Sequence, residues 1–97
     1  MTAEILCLND TDRYLENIRT AAQALRSGGI VAFPTETVYG LGVCADNDTA
    51  IDNLYSVKRR PRNKELSILI AEPNDVTKHV KHISPIAGRL ISSFWPG

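Results

Sequence analysis

The sequence predicts an α/β fold, and three observations carry that expectation. β-prone apolar runs, Ile30-Val31-Ala32-Phe33 and Leu66-Ser67-Ile68-Leu69-Ile70, alternate with stretches whose apolar residues recur at helical spacing. Polar capping residues or prolines stand before the helical stretches. The chain has 97 residues with no internal repeat, low-complexity tract or linker, which allows one small domain.

Ile5-Leu6-Cys7-Leu8 reads as a first strand, and Asn9-Asp10-Thr11 offers helix caps. Leu15, Ile18, Ala22 and Leu25 then follow at spacings of 3, 4 and 3, which is one helix face widened by Ala21 and Ala24. Ser27-Gly28-Gly29 ends that helix. Ile30–Phe33 has no polar face and predicts a strand buried on both sides. Residues 34–46 show no clean period. Asp46-Asn47-Asp48-Thr49 caps a helix over roughly 49–58, with Ile51, Leu54, Tyr55 and the Lys58 stem on its inner side. Pro61 blocks its continuation. Leu66–Ile70 predicts the next strand. Pro73-Asn74-Asp75 starts a short helix through about Val80. Ser84-Pro85 pairs a cap with proline at the first helical position, ahead of an apolar face of Ile86, Leu90, Ile91 and Phe94.

The composition is 43% hydrophobic and 23% charged, that of an ordinary soluble protein. No apolar run approaches the roughly 20 residues that span a bilayer, and the N-terminus lacks signal-peptide character. A cytoplasmic protein without a membrane partner is the expectation. Cys7 and Cys44 form no metal spacing and no disulfide framework, and read as reduced, half-buried thiols. His79 and His82 read as exposed surface residues, and no metal ligands are assigned.

Net charge is zero but unevenly spread. Residues 1–57 hold 3 basic and 8 acidic side chains, and residues 58–97 hold 8 basic and 3 acidic. Five of the 11 basic residues fall within positions 58–64, where there is no acid. That concentration points to an anionic ligand.

Two segments carry candidate chemistry. Pro34 ends a strand ladder, and Thr35, Glu36, Thr37 and Tyr39 then place three hydroxyls and a carboxylate beyond the strand end, where α/β sheets bind ligands. Gly40 and Gly42 permit close backbone approach or positive φ. The structural alternative is a polar loop whose hydroxyls cap its own backbone. The second segment is Lys58-Arg59-Arg60-Pro61-Arg62-Asn63-Lys64. As a generic basic run it would be solvated surface. Pro61, however, makes it a turn, with apolar elements on both sides, and such a turn can present guanidinium and ammonium groups to phosphates. It lacks the glycine pattern of a P-loop.

Phe33-Pro34-Thr35-Glu36-Thr37-Val38-Tyr39-Gly40-Leu41-Gly42 resembles the signature of the YrdC-like family of threonylcarbamoyl-AMP synthases. Lys58-Arg59-Arg60-Pro61 matches that family's Lys-x-Arg-Pro, with Lys58 placed 23 residues after Thr35. Lys64-Glu65-Leu66, the strand after it and Trp95-Pro96-Gly97 also resemble family motifs. The resemblance implies a twisted, largely mixed β-sheet with helices packed on it, of which residues 1–97 would be the N-terminal part of a single domain. It implies condensation of L-threonine, bicarbonate and ATP into threonylcarbamoyl-AMP and pyrophosphate, with Mg2+ accompanying ATP. Partner proteins would then transfer the threonylcarbamoyl group to tRNA. By position, Lys58 and Arg60 would be catalytic and ATP-binding, with Arg62 and Lys64 beside them. Thr35 and Ser67 would bind L-threonine.

Two departures stand out. Glu65 replaces the family's usual proline. The family domain is about twice this long, so the expectation is a chain that stops mid-domain, lacks a later Ser-x-Asn motif and has no synthase activity alone. The competing readings are an RNA-binding module without synthase activity, in which the basic turn meets RNA phosphates, and an inert fragment.

Overall fold

Helical periodicity becomes structure at Tyr14–Arg26 (α1) in the computed structural model, which describes residues 3–96. The last residue of the Trp95-Pro96-Gly97 motif therefore lies outside the described residues. The chain divides into two compact units, with the boundary between Glu65 and Leu66.

In the first unit, the proposed caps act one turn before α1. Asp10 accepts from the backbone N–H groups of Asp12 (3.1 Å, through its carboxylate) and Arg13 (3.2 Å, through its carbonyl). The helix starts at Tyr14 without a side-chain cap. Its inner face is Ala21, Ala22, Ala24 and Leu25, all half-buried, whereas Leu15 and Ile18 are exposed. Asn17 is the buried member, and its Nδ2 donates to the Cys7 carbonyl at 2.8 Å. The C-terminus closes as a Schellman motif. Gly28 N–H donates to Leu25 O at 3.0 Å and Gly29 N–H to Ala24 O at 2.8 Å, with Gly28 at φ 87°.

Two short strands follow, Val31–Phe33 (β1) and Gly40–Gly42 (β2). They pair antiparallel with Val31 opposite Gly42, Ala32 opposite Leu41 and Phe33 opposite Gly40. Helix α1 packs on β1. The strand expected over Ile30–Phe33 exists, but it is not buried on both faces: Ala32 is exposed and its neighbours are half-buried. β2 falls in a stretch without period because two of its three residues are glycines, poor strand formers in isolation.

Helix Asp48–Lys58 (α2) begins where its cap predicts, with the Asn47 side chain accepting from Ala50 N–H at 3.0 Å. Its inner face holds the two buried apolar residues of the described chain, Ala50 (1% exposed) and Leu54 (4%), flanked by half-buried Ile51 and Tyr55. Lys58 is exposed. The ends of α1 and α2 come together: a β-carbon at Gly28 would stand 3.1 Å from Asn47 Nδ2.

The second unit holds a 3-10 helix, Pro73–Lys78, and helix Pro85–Phe94 (α3). The former is shorter and tighter than the helix expected to reach Val80. α3 is capped by Ser84, whose Oγ accepts from Ala87 N–H at 3.1 Å. Ile86, Leu90 and Phe94 are exposed and Ile91 is half-buried.

Three further expectations require correction. Ile5–Leu8 and Leu66–Ile70 are irregular and unpaired, so neither is a strand. A strand needs hydrogen-bond partners outside its own segment, and no other segment pairs with these two among the described residues. Cys7 is exposed rather than half-buried, and Cys44 is half-buried; both are free thiols. Ile5 is 92% exposed, Leu69 76%, and Ile86 and Phe94 68% each. Much apolar surface is left uncovered.

Candidate functional site

The loop Pro34–Tyr39 joins β1 to β2 and is exposed throughout. The Thr35 hydroxyl organises it. Thr35 Oγ1 accepts from the backbone N–H groups of Val38 (3.1 Å) and Thr37 (3.3 Å) and donates to the Val38 carbonyl. The Thr37 hydroxyl lies 3.4 Å away. Thr35 thus holds the loop's own backbone, which is the structural alternative raised for these hydroxyls. The glycines serve close approach: neither has positive φ, and the Phe33 ring lies over both. A β-carbon would stand 2.8 Å from Phe33 Cζ at Gly40 and 3.0 Å from Phe33 Cε1 at Gly42.

The basic turn starts where α2 ends. Arg59 adopts φ 51°, the left-handed conformation usually given to glycine, and closes a second Schellman motif. Its N–H donates to Ser56 O at 3.2 Å, and Arg60 N–H donates to Tyr55 O at 3.1 Å. Pro61 then turns the chain, with Lys64 N–H donating to Pro61 O at 3.0 Å.

Side chains brace this turn from within. Arg60, half-buried, donates from Nε to the Lys64 carbonyl at 3.3 Å and from Nη2 to the Glu65 carbonyl at 2.8 Å. The Tyr55 hydroxyl donates to the same Lys64 carbonyl at 2.8 Å. Arg62 pairs with Asp52 at 2.7 Å, and its guanidinium carbon lies 4.7 Å from the centre of the Tyr55 ring. Lys58, Arg59 and Lys64 are exposed, and their side chains make no hydrogen bond or ion pair among the described residues.

Lys58, Arg60, Arg62 and Lys64 therefore share one braced turn. Thr35 sits on a separate loop of the same unit, and no hydrogen bond joins the two segments among the described residues. Ser67 belongs to the second unit and is exposed. Tyr55 and Asp52 are the members that sequence reasoning missed. Tyr55 reads as a core position by its spacing, and Asp52 as one more exposed acid. The signal was in the sequence: Tyr55 and Asp52, three apart on a helix, can share a face that a returning basic turn would meet. Among the described residues no cluster of three or more His, Cys, Asp or Glu side chains could hold a metal ion. No helix among them is long and apolar enough to cross a membrane.

The Sua5_yciO_yrdC family model, described as "Telomere recombination", matches residues 23–97. A threonylcarbamoyl-AMP synthase of Pyrococcus abyssi (strain GE5 / Orsay) is 41% identical over 93 residues, covering 95% of this chain and 27% of that protein. One from Coxiella burnetii (strain RSA 493 / Nine Mile phase I) is 36% identical over 86 residues, covering 89% of this chain and 46% of that protein. The solved structure of a double-alanine variant of P. abyssi Sua5 superposes with a TM-score of 0.80 at 43% identity, covering 84% of this chain and 25% of that one. That likeness establishes the α/β fold. The chain spans less than half the length of these relatives.

Proposed function

This chain belongs to the Sua5/YciO/YrdC family, and on that premise we propose that it is the nucleotide-handling part of a threonylcarbamoyl-AMP synthase. The reaction condenses L-threonine, bicarbonate and ATP, releases pyrophosphate, and supplies the threonylcarbamoyl group for tRNA modification in the cytoplasm. The observation that carries this reading is the basic turn at the end of α2, which brings five cations into residues 58–64 and whose backbone Tyr55 and Arg60 hold at the Lys64 and Glu65 carbonyls.

The chemistry fits those groups. The threonine amine and bicarbonate form a carbamate with loss of water, and its carboxylate oxygen then attacks the α-phosphorus of ATP as pyrophosphate leaves. Negative charge builds on the phosphoryl oxygens, and fixed cations offset it. Lys58 and Lys64 offer exposed ammonium groups without intramolecular partners among the described residues. A guanidinium has five N–H donors, and the carbonyls of Lys64 and Glu65 engage only Nε and Nη2 of Arg60. Nη1 remains for a phosphoryl oxygen. Thr35 would bind L-threonine through the loop it organises. Mg2+ would arrive on the ATP phosphates, since the described residues offer it no cluster of carboxylates. The 97 residues alone would turn over poorly, because most of these cations stand in open solvent, where their stabilisation of charge is weak.

The test is a chimera that joins this chain to the remaining length of the C. burnetii relative. Pyrophosphate release that requires both threonine and bicarbonate supports the reading. A folded chimera without such release overturns it.

A further inference from the structure

We infer that Tyr55 is a positioning residue for the basic turn, acting through Arg60 and Arg62 rather than on the ligand. The inference rests on the reading of that turn as a phosphate-facing site.

Tyr55 uses both ends of its side chain. Its hydroxyl shares the Lys64 carbonyl with Arg60 Nε, at 2.8 and 3.3 Å. One acceptor with two lone pairs thus receives two donors, one from α2 and one from the turn. The ring carries the Arg62 guanidinium at 4.7 Å, while Asp52, three residues earlier on α2, holds Arg62 Nη1 at 2.7 Å. The Tyr55 carbonyl meanwhile accepts Arg60 N–H in the helix cap. Three contacts from one helical residue therefore fix the entry, the crown and the exit of the turn. Adjacent Leu54 is buried, which anchors the helix under them.

The physical need is clear from the charge. Cations crowded into a short turn repel one another and would splay apart if the turn were free. A turn tied to α2 holds its backbone and the Arg60 and Arg62 side chains in place and removes part of the ordering cost that anion binding would otherwise meet. Arg60 and Arg62 spend part of their donor capacity on that bracing, and Tyr55 is the residue common to both.

The test uses the 97-residue chain with Tyr55→Phe, which keeps the ring and removes the hydroxyl. In nuclear magnetic resonance, the Arg60 Nε–H signal should move toward that of free arginine, while the Arg62 Nε–H signal and the α2 amide signals of Ile51 and Leu54 stay in place. Asp52→Asn should do the reverse, releasing Arg62 and leaving Arg60. An Arg60 signal unchanged in Tyr55→Phe overturns the inference. Titration with inorganic tripolyphosphate gives the second readout. Losing one hydrogen bond that orders the site should weaken binding about 5-fold, and an unchanged affinity overturns the inference. If the unmutated chain fails to bind tripolyphosphate, the phosphate-facing reading fails and the Arg60 signal alone decides the role of Tyr55. Should Tyr55→Phe lose the α2 signals, the Asp52→Asn pattern decides: loss of both arginine signals would overturn a separate role for the hydroxyl.

Discussion

Phe33 covers Gly40. The ring's Cζ lies 2.8 Å from where a β-carbon of Gly40 would stand, and the two residues are cross-strand partners. Gly40→Ala forces the ring aside and should destabilise the chain by about 1 kcal/mol, at the low end for overpacking because the ring edge can swing. Phe33→Leu should remove most of that penalty. A double-mutant cycle in urea measures the coupling; additive effects would show that the ring does not hold the hairpin.

The two Schellman caps differ at one position. Gly28 and Arg59 both take positive φ, 87° and 51°. The left-handed conformation costs a non-glycine residue about 1–2 kcal/mol, part of which glycine returns through its freer unfolded state. Arg59→Gly should therefore stabilise by about 0.5–1 kcal/mol, and Gly28→Ala should destabilise by about 1–2 kcal/mol. Denaturation midpoints read both. Loss of stability in Arg59→Gly would mean that its charge or stem does more than the structure shows.

Within the chimera, Lys58→Ala and Arg60→Ala should each remove about 2–4 kcal/mol of transition-state stabilisation, roughly 30- to 1000-fold in rate. Arg59→Ala, at an exposed position, should cost less than about 1 kcal/mol. Equal losses at all three would indicate a diffuse electrostatic surface and favour RNA binding. Thr35→Val should raise KM for threonine, and Thr35→Ser should restore it, because serine keeps the hydroxyl that holds Thr37 and Val38.

Much of the helical framework was legible in advance. Asp46–Thr49 located the start of α2, Ser84-Pro85 the start of α3, and Ser27–Gly29 the end of α1, because caps are local chemistry. The strands were less legible. Leu66–Ile70 has every local feature of a strand and no partner among the described residues, whereas Gly40–Gly42 has none of those features and pairs under a phenyl ring. The basic turn was visible as a charge cluster. Its bracing was only partly visible: Asp52 and Tyr55 share a helix face, but Tyr55 and Arg60 meet at the Lys64 backbone carbonyl, which no residue pattern encodes.

Asp75 has its carboxyl held below the usual range. The hydrogen bond from Lys78 comes first, followed by that cation's charge and the Glu72 N–H donor. A lowered folded pKa means stability that is present above the unfolded value, near 3.9, and lost as pH falls through the folded value. The turn Pro73–Lys78 should therefore loosen only below about pH 4. The Asp75 carboxyl carbon shift, followed against pH, checks this; a midpoint at or above 4 would contradict it. Lys78→Ala should raise the midpoint.

Apolar exposure should drive self-association. Phe94 and Ile86 are each 68% exposed on α3, and contiguous surface of that kind binds apolar dyes and like surfaces. Sedimentation at rising concentration should show a growing weight-average mass, reduced by Phe94→Ser. A concentration-independent monomer would count against it.

The close approach of Asn47 to Gly28 gives the segment between them an independence of its own. Residues 29–46 leave one helix end and return to the start of the next, so their excursion is closed at its base. Closing such an excursion depends only weakly on its length, about 0.6 kcal/mol per doubling. The Pro34–Tyr39 loop can thus be lengthened, shortened or exchanged as a cassette while both helices keep their footing. Changes in that loop can drift through evolution, or be grafted by design, without renegotiating the scaffold that carries the positive charges.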